Sequence, residues 1–295
     1  MSVTVRVPAK VNVQLAVGAA RPDGFHDLAN AFLAVGLYDE VTVTPAHELR
    51  VTCEGPGSGQ VPLDRTNLAA RAAELLAARY GIAPDVHLHI AKDIPVAGGM
   101  AGGSADGAAA LVACDALWGT KSSREELLDI CAELGSDVPF SLVGGAALGT
   151  GRGEKLQSLE VGGTFHWVFA VADGGLSTPA VYREFDRLTP DAPAPEASPA
   201  LIEALRTGDT EALAATVTND LQPAALSLFP SLADTLAAGT AAGALAALVS
   251  GSGPTTAFLT ADAASAHKVA DALTASGTCR TARVATAPAP GAQTV

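Results

Sequence analysis

Two pairs of glycines fall within a short stretch that could hold the phosphates of a nucleotide. The stretch lies between a predicted strand and a predicted Ala-rich helix and consists of Pro95, Val96, Ala97, Gly98, Gly99, Met100, Ala101, Gly102, Gly103, Ser104 and Ala105. Without Cβ atoms, the backbone can turn several N–H groups toward one bulky anion, and the dipole of the following helix adds attraction. No Gly-Lys-Ser/Thr of a Walker A loop follows, and the GxGxxG spacing of a dinucleotide fingerprint is absent. The context favours phosphate binding over a turn that is glycine-rich only for packing.

Three polar side chains could do chemistry beside such phosphates. Ser104, near the predicted helix start, could cap the helix, contact phosphate or hold a phosphate-bound magnesium ion. Asp137 follows a predicted helix and precedes Val138-Pro139, where a lone aspartate commonly caps a turn or faces solvent. Lys10 lies on a mostly apolar N-terminal strand, so it is either paired, functional or on an exposed edge, because an unpaired buried ammonium is costly.

The charge balance restricts the class of partner. With 18 Lys and Arg against 31 Asp and Glu, the formal net charge is −13. Such an acidic surface repels nucleic acid and anionic lipid, so phosphate binding must be local and must use backbone amides. We therefore expect a small phosphorylated ligand, with no nucleic-acid or membrane partner.

The remaining composition indicates a cytoplasmic protein. The four cysteines are scattered and have no histidine at ligand spacing, which is typical of buried, reduced thiols rather than of disulfides or a zinc site. The N-terminus alternates like a strand and lacks the apolar run of a signal peptide. The nearest approach to a membrane span, residues 235–249, is too short and too rich in Ala and Gly.

Hydrophobic patterning predicts the elements that position these residues. Alternation predicts strands over Val3–Val7, Val11–Val17, Asp39–Pro45, Leu49–Cys53, Asp85–Ala91, Phe165–Val171 and Arg280–Thr286. Helices are predicted over Asn67–Tyr80, from about Ser104 to Trp118, over Ser123–Leu134 with a capping box, and over Ala261–Ser276. His87 and His89 should share the polar face of a half-buried strand, a better interpretation than a metal site because no third ligand follows.

The second half contains a second glycine-rich turn, Ser250-Gly251-Ser252-Gly253-Pro254, between two short strands. The Pro- and Ala-rich residues Thr189–Pro199 are expected to form a mobile surface loop, and residues 287–295 are expected to fray. Together these patterns predict an α+β chain with two lobes.

Three motifs, in order, resemble those of the GHMP kinases, a superfamily that includes galactokinase, homoserine kinase and mevalonate kinase. The family's Pro-x-x-x-Gly-Leu-Gly/Ala-Ser/Gly-Ser motif is similar to the stretch that begins at Pro95, with Met100 in place of Leu. Its Pro-x-Lys-x-Asn motif is similar to Pro8-Ala9-Lys10-Val11-Asn12, and its Gly-Ser/Thr-Gly turn to Gly251-Ser252-Gly253. The resemblance covers nearly the whole chain and implies an ATP-dependent small-molecule kinase.

The resemblance also implies a fold. It is the two-lobed GHMP kinase fold, with a ribosomal-protein-S5-domain-2-like, ATP-binding N-terminal lobe expected over residues 1–158. A ferredoxin-like C-terminal lobe is expected over residues 159–295, and the active site should lie in the cleft between the lobes.

Four further segments resemble the branch of the family that acts on a cytidine-diphosphate-linked methylerythritol. They are Arg21 to Leu28, Gly102 to Asp106, Leu134 to Phe140 and Thr218 to Leu221. The expected reaction is transfer of phosphate from ATP to the 2-hydroxyl of this substrate in the non-mevalonate (methylerythritol phosphate) isoprenoid pathway. Another GHMP kinase, for homoserine, mevalonate or a sugar, is the alternative.

The resemblance assigns the catalytic roles to Lys10 and Asp137. Asp137 stands at the position of the family's catalytic aspartate and would accept the proton of the attacking hydroxyl. Lys10 would pair with Asp137, keep its carboxylate ionised and stabilise charge on the reacting oxygen. A non-enzymatic member of the fold would be expected to lack one of these residues, and both are present.

The substrate-binding residues follow from the same resemblance. Phe25, where the family usually has Tyr, and Tyr182, where it has Phe, would hold the pyrimidine between two aromatic faces. His26 would hydrogen-bond the cytosine, and Asn12 would contact the substrate near the reacting centre. Gly251 and Gly253 would let the second turn approach the substrate phosphates.

For ATP, Asn67 and Lys92 align with family positions near the nucleoside. The residues themselves leave alternatives open, since Asn67 could be a helix N-cap and Lys92 a solvated surface charge. The expected cofactors are ATP and Mg²⁺, with Ser104 as the candidate protein ligand of the metal.

Overall fold

The computed structural model of the protein describes residues 2–295. In chain order its strands are β1 (Val3–Ala20), β2 (His26–Pro45), β3 (Arg50–Glu54), β4 (Val86–Ala91), β5 (Ala146–Thr150), β6 (Lys155–Leu159), β7 (Phe165–Val171), β8 (Thr218–Asn219), β9 (Ala246–Val249), β10 (Thr256–Thr260), β11 (Thr281–Ala287) and β12 (Gln293–Thr294). Its helices are α1 (Leu68–Tyr80), α2 (Gly102–Trp118), α3 (Arg124–Leu134), α4 (Val138–Val143), α5 (Thr178–Leu188), α6 (Pro199–Thr207), α7 (Thr210–Ala214), α8 (Gln222–Leu228), α9 (Leu232–Ala241) and α10 (Ala263–Ser276).

The first sheet is built on the long antiparallel hairpin of β1 and β2. The strands follow the order β12-β1-β2-β4-β3, while β5 joins β2 to β6 and β8 runs parallel to the later part of β1. Helix α2 packs on β1 and β2, and the other helices of this lobe, α1, α3 and α4, pack around α2. This packing brings Lys10 and Asn12, in the middle of β1, against the glycine-rich stretch that leads into α2.

Strand β1 is continuous where two strands, Val3–Val7 and Val11–Val17, were predicted. The pattern is interrupted at Pro8, where the pairing of β1 with β2 shifts register, since proline cannot donate to a ladder. Strand β2 is also longer than the predicted Asp39–Pro45. Residues 28–35 of β2 are buried on both faces, so they show no alternation from which a strand could be predicted.

The second sheet has the order β11-β7-β10-β9, and all of its pairs are antiparallel. Along the chain this lobe runs strand, helices, two strands, helix and strand, with the first strand between the last and the third. That is the βαββαβ arrangement of ferredoxin-like domains, so the predicted fold of this lobe is confirmed. Helices α9 and α10 cover one face, and Trp167 and Phe169 on the other face join the core shared with the first sheet.

The predicted helix caps are present. The side chain of Asn67 accepts a hydrogen bond from a backbone N–H of α1, and Ser123 forms a capping box at the start of α3. The helix after the glycine-rich stretch begins at Gly102 rather than near Ser104, because Ala101 at its N-cap adopts a left-handed conformation with φ of 59°. Ser104 therefore lies inside the first turn of α2.

The prediction that residues 287–295 fray is wrong. Strand β12 pairs antiparallel with β1, and Ala289 is buried in a cluster with the stacked rings of Phe32 and Phe140. The N–H of Ala292 donates to the carbonyl of Ser141 in α4 at 3.1 Å. These small residues have no periodic pattern of their own, and their order comes from contacts with residues far away in the sequence.

The segment Thr189–Pro199 was predicted to be a mobile surface loop. In the structure it is a loop that is hydrogen-bonded to β1. It has no helix or strand before α6. The buried side chain of Gln14 donates to the carbonyl oxygen of Glu196 at 2.8 Å and accepts from the N–H of Ser198 at 2.9 Å. The segment thus covers part of β1 and satisfies both polar groups of one buried amide.

His87 and His89 lie on one half-exposed face of β4, as predicted. The hydroxyl of Thr52 on β3 bridges their rings, at 2.7 Å from His87 Nε2 and 2.9 Å from His89 Nδ1. Among residues 2–295, no group of three or more His, Cys, Asp or Glu side chains is placed to hold a metal ion. Both histidines contribute to the polar face of β4 and hydrogen-bond Thr52.

Two predictions from composition can be compared with the structure. All four cysteines are free thiols, of which Cys114 and Cys131 are buried while Cys53 and Cys279 are only half-buried. Within residues 2–295 there is no helix of sufficient length and apolarity to cross a membrane.

Candidate active site

A cleft of about 720 Å³ lies where the two glycine-rich turns meet. We call residues 95–105 the first glycine turn and residues 250–254 the second glycine turn. The cleft is also lined by β1, by the turn before β2 and by α5. The structure brings together in its wall the predicted catalytic and substrate-binding residues Lys10, Asn12, Phe25, His26, Asp137, Tyr182, Gly251 and Gly253.

The residues of the first glycine turn divide between the cleft and the protein interior. The side toward the cleft consists of Pro95, Ala97, Gly98, Gly99, Ala101, Gly102, Gly103 and Ser104. Val96 instead packs beside Gly57, and Met100 and Ala105 are fully buried. The turn thus exposes small residues and backbone groups to the cleft, which is what a phosphate-binding loop requires. The buried side chain of Met100 holds the turn against the protein interior.

The two glycine turns touch each other directly. Gly99 has a φ of +74°, and a Cβ on it would overlap the carbonyl oxygen of Ser250. The Ser250 hydroxyl donates to the Gly99 carbonyl at 3.1 Å, and the Thr255 N–H donates to the Gly98 carbonyl at 3.3 Å. Only a residue without a side chain permits this approach, so the contact depends on glycine at position 99.

Lys10 is held at the point where β1 meets both glycine turns. Its ammonium donates to Asn12 Oδ1 at 2.6 Å and to the carbonyl of Gly99 at 3.0 Å, and it lies 4.0 Å from Asp137 Oδ2. Asn12 in turn donates to Asn30 Oδ1 at 2.7 Å. Burial lowers the pKa of Lys10, and the charge of Asp137 partly opposes that shift. Strand β1 therefore places one buried ammonium group at the bottom of the cleft, where two neutral oxygen atoms accept its hydrogen bonds.

Asp137 lies at the N-cap of the short helix α4, and its carboxylate makes no capping hydrogen bond there. Its side chain is 36% exposed while that of Lys10 is 6% exposed. The carboxylate is therefore reachable from the cleft, and its neighbouring cation is shielded from water. This is the arrangement expected of a proton acceptor that faces a bound hydroxyl.

The second glycine turn is held in place by side chains from other elements. Asn219 donates to the carbonyl oxygens of Val249 and Gly251 at 2.7 and 2.8 Å. The hydroxyls of Ser252 and Thr178 lie 2.8 Å apart, which ties the turn to the start of α5. The segment that contains Asn219 thus supports the turn from behind.

The turn before β2 and helix α5 form an aromatic wall of the cleft. Phe25 is 47% exposed, and the guanidinium of Arg152 lies 5.0 Å from its ring centroid. The rings of His26 and Tyr182 have centroids 4.9 Å apart. Burial raises the pKa of the Tyr182 phenol, and the nearby charge of Asp137 adds to that shift.

Four charged or amide side chains of the cleft wall were not found by the sequence analysis. They are Asn30, Arg152, Arg183 and Asp186. The two arginines bring positive charge to the cleft of a chain whose formal net charge is −13. Arg152 stands between two glycines at the end of β5, a placement that could have drawn attention to it, whereas the others have no local pattern.

Asn67 and Lys92 do not line the cleft. Asn67 caps α1, with its amide nitrogen donating to the carbonyl of Pro62 at 2.7 Å, so the capping alternative describes its contacts. Lys92 is not a solvated surface charge, because its side chain is 2% exposed and donates to the carboxylates of Asp39 and Asp106. A contact of either residue with ATP stays a prediction.

The Lys92 ion triad supports the first glycine turn from below. Asp39 on β2 also accepts from the N–H groups of Asp93 and Ile94, at 2.7 and 2.9 Å, directly before the turn. Asp106 belongs to α2, directly after the turn. Burial raises the pKa of Asp106 well above its usual range, although the Lys92 charge opposes that shift. Both ends of the turn are therefore fixed to one buried cluster of charges.

Comparison with known proteins identifies the family. Residues 67–145 match the model of the GHMP kinases N terminal domain, and residues 201–279 match that of the GHMP kinases C terminal region, which together are more than half of the chain. The chain belongs to the GHMP kinases. It is 82% identical over 294 residues to 4-diphosphocytidyl-2-C-methyl-D-erythritol kinase of Streptomyces avermitilis, with 99% of each chain covered. Within the superfamily it therefore belongs to the family of 4-diphosphocytidyl-2-C-methyl-D-erythritol kinases.

Further relatives agree with this placement. The enzyme of the same name from Streptomyces coelicolor is 79% identical, with 99% of each chain covered. A crystal structure of a 4-(cytidine 5'-diphospho)-2C-methyl-D-erythritol kinase matches with a TM-score of 0.78 and 32% identity, covering 97% of this chain and 99% of the other. A homoserine kinase from Cytophaga hutchinsonii matches with a TM-score of 0.71 and 21% identity, covering 100% and 97% of the two chains, which shows the shared fold.

Proposed function

We propose that the protein transfers the γ-phosphoryl group of ATP to the 2-hydroxyl of 4-diphosphocytidyl-2-C-methyl-D-erythritol. The observation that carries this proposal is the facing pair of Lys10 and Asp137, 4.0 Å apart beside the first glycine turn, in one cleft with an aromatic wall. A kinase of this family uses ATP, and the turn offers the backbone that its phosphates need. The aromatic wall offers the flat faces that a pyrimidine needs.

Asp137 acts as the base in this proposal. As the 2-hydroxyl oxygen forms a bond to the γ-phosphorus, the bond from that phosphorus to the bridging oxygen of ADP breaks, and the hydroxyl proton passes to Asp137. The carboxylate suits this role because no N-cap hydrogen bond occupies it and because it is reachable from the cleft.

Lys10 stabilises the negative charge that develops on the reacting oxygens. Its ammonium is already fixed by Asn12 and Gly99, so it need not reorganise during the reaction. Its charge also favours the ionised form of the Asp137 carboxylate, which must accept the proton.

A magnesium ion fits the cleft if ATP supplies most of its ligands. The described residues 2–295 hold no cluster of three acidic, His or Cys side chains, and Mg²⁺ commonly keeps phosphate oxygens and water as ligands. The Ser104 hydroxyl, in the first turn of α2 and on the cleft wall, is the side chain that would reach it. When bound, the ion neutralises charge on the transferred phosphate.

The substrate would lie with its cytosine between Phe25 and Tyr182 and its diphosphate near the two arginines. Arg152 and Arg183 line the cleft, and a guanidinium binds phosphate well through its fork of N–H donors. Asn12 accepts a hydrogen bond from Lys10 and would contact the substrate near the reacting centre. Gly251, where an added Cβ would lie 3.2 Å from the Lys10 ammonium, and Gly253 in the same turn would let the backbone approach the substrate phosphates from the other side.

The test measures ADP release by the purified protein with MgATP and, separately, the cytidine-linked methylerythritol, mevalonate and homoserine. We expect turnover only with the cytidine compound. Asp137→Asn should lower kcat by about 10²–10⁴-fold, the usual contribution of a general base. The matched control is Asp129→Asn, on the exposed face of α3, which should keep kcat unchanged.

Two outcomes would contradict the proposal. Turnover on mevalonate or homoserine instead of the cytidine compound would refute the substrate. Unchanged kcat in Asp137→Asn, with normal turnover of the cytidine compound by the unmodified protein, would refute the assigned base while leaving the reaction in place.

A further inference from the structure

The imidazole of His26 is held by a carboxylate that the sequence analysis did not find. His26 Nε2 lies 2.7 Å from Oδ1 of Asp186, which belongs to α5. The His26 side chain is 6% exposed and that of Asp186 is 38% exposed, and both residues line the cleft. The pair therefore joins the first residue of β2 to α5 at the aromatic wall.

A carboxylate at this position selects one tautomer of the neutral imidazole. An ionised aspartate can only accept hydrogen bonds, so Nε2 must carry the hydrogen. Nδ1 is then the acceptor of the neutral ring. Within residues 2–295 Nδ1 has no hydrogen-bond partner, and it is not among the buried unpaired atoms, so its lone pair is available at the cleft.

The orientation of the ring is fixed as well as its tautomer. The Tyr182 ring lies 4.9 Å from that of His26, and the buried ring of Phe185 packs edge-on at 6.1 Å. With the hydrogen bond to Asp186, these contacts hold the imidazole plane on two sides. The protein therefore fixes both the position of His26 Nδ1 and its role as a hydrogen-bond acceptor.

We propose that Asp186 is a positioning residue that keeps His26 Nδ1 an acceptor and thereby makes the pocket prefer cytosine to uracil. At position 4, cytosine carries an amino group, a donor, where uracil carries a carbonyl oxygen, an acceptor. An acceptor in the wall pairs with the first and opposes the second. The inference rests on the proposed function, because it requires that the aromatic wall binds the pyrimidine.

The test compares kcat/KM for the cytidine-linked substrate and its uridine-linked analogue. Asp186→Asn keeps the size of the side chain but can present either an amide N–H or a carbonyl to Nε2, so the tautomer is released. We expect the preference for cytidine over uridine to fall by roughly 5- to 10-fold, about the net value of one hydrogen bond. Asp186→Glu, which keeps the carboxylate, should retain more of the preference than Asp186→Asn.

A control variant and a spectroscopic readout separate this role from a structural one. Asp27→Asn changes an exposed carboxylate one residue from His26 that pairs with Arg21, and it should leave the preference unchanged. The ¹⁵N chemical shifts of the His26 ring should show the Nε2–H tautomer in the unmodified protein and a mixture in Asp186→Asn.

The outcomes distinguish the two proposals. If the unmodified protein does not turn over the cytidine-linked substrate, the proposed function fails. If it does, but Asp186→Asn keeps the same preference or lowers both kcat/KM values equally, the role of Asp186 is refuted. An unchanged ¹⁵N tautomer pattern in Asp186→Asn would refute it as well.

Discussion

At the scale of single residues, Lys10 combines a buried charge with a proposed catalytic role. Its ammonium has two oxygen acceptors and a carboxylate 4.0 Å away, yet burial is the larger influence on its pKa and lowers it. A protein that buried this group for stability alone would pair it more closely. The position is explained better by the proposed reaction, in which the phosphoryl group would bring the missing negative charge.

This burial predicts how stability depends on pH. The folded pKa of Lys10 lies below its unfolded value of 10.5, so between the two values the unfolded chain binds more protons and the folded state gains stability as pH rises. The free energy of unfolding of the unmodified protein, minus that of Lys10→Met, should therefore increase from about pH 7 to about pH 10. Urea denaturation at several pH values measures this difference.

The other titrating groups are present in both proteins, so their contributions cancel in the difference between the two free energies of unfolding. The two hydrogen bonds that Lys10→Met removes lower this free energy by the same amount at every pH. A difference that stays level or decreases as pH rises would show that the folded protein does not disfavour the Lys10 charge.

Lys92 is also buried, but its pKa is shifted in the opposite direction from that of Lys10. Burial lowers its pKa, but the charges of Asp106 and Asp39 outweigh that influence and raise it. Lys92→Met would leave two carboxylates, both almost fully buried, without their cation. We expect a loss of about 3–5 kcal/mol in the free energy of unfolding, measured by urea denaturation.

The matched control is Arg6→Met. Arg6 pairs with Glu40 at 2.7 Å, but both side chains are well exposed, so this change should cost less than about 1 kcal/mol. Equal losses in the two variants would contradict the assignment of the Lys92 triad as the support of the first glycine turn.

At the scale of elements, the residues before β12 brace α4, the helix whose N-cap residue is Asp137. The N–H of Gly145 donates to the carbonyl of Ala289 at 2.8 Å, and Gly144 forms a bridge with Pro290. A Cβ on Gly291 would overlap the carbonyl oxygen of Leu142. The position of the proposed base thus depends on a segment about 150 residues away in the sequence.

Gly291→Ala tests this dependence. We expect it to lower the free energy of unfolding by about 1–3 kcal/mol through the backbone clash, and to lower kcat because α4 must shift. Gly59→Ala is the control, since that exposed glycine has no neighbouring atom within 4 Å of the added Cβ. If the two variants have the same stability and kcat, the segment does not brace α4.

Features that depend on neighbouring residues could be predicted from the sequence, and features that depend on residues far apart in the sequence could not. Caps such as Asn67 and Ser123 use neighbouring residues, so the starts of α1 and α3 could be predicted within a residue. The pairing of β12, the anchoring of residues 189–199 and the partners of Lys92 use residues far apart, and no local pattern indicates them. The same holds in the site, where Asp186 was missed because its partner His26 is 160 positions away.

At the scale of the whole molecule, the cleft depends on how the lobes meet. Arg283 on β11 forms two hydrogen bonds, at 2.9 and 2.6 Å, to the carboxylate of Asp93 directly before the first glycine turn. This contact holds the pKa of Asp93 below its usual range. The backbone of Gly99 lies against the second glycine turn, so one lobe positions the proposed phosphate-binding backbone of the other.

Gly99→Ala should separate the two turns. The added Cβ would overlap the Ser250 carbonyl oxygen, and the left-handed backbone adds a strain of about 1–2 kcal/mol. Because a shift of about 1 Å in a reacting group can cost about 10²-fold, we expect kcat/KM for ATP to fall by about that factor. Steady-state kinetics with varied ATP measures it.

Gly119→Ala provides the control, since Gly119 has a similar φ of +65° but open space around the added Cβ. Both variants should lose stability from the backbone strain, Gly99→Ala more than Gly119→Ala because its Cβ also clashes with Ser250, and only Gly99→Ala should lose activity. Equal activity in the two variants would show that the contact between the glycine turns is dispensable.

The pairing of β12 with β1 has a consequence for biosynthesis. A ribosome releases β1 long before residues 293–294 have been made, so that edge of β1 stays without its partner during most of translation. Helix α4, with Asp137 at its N-cap, likewise lacks its support until residues 289–292 emerge. A nascent chain that has not yet reached these residues therefore contains both glycine turns but an unbraced α4, and chaperones and proteases meet this intermediate before the segment that positions the proposed base exists.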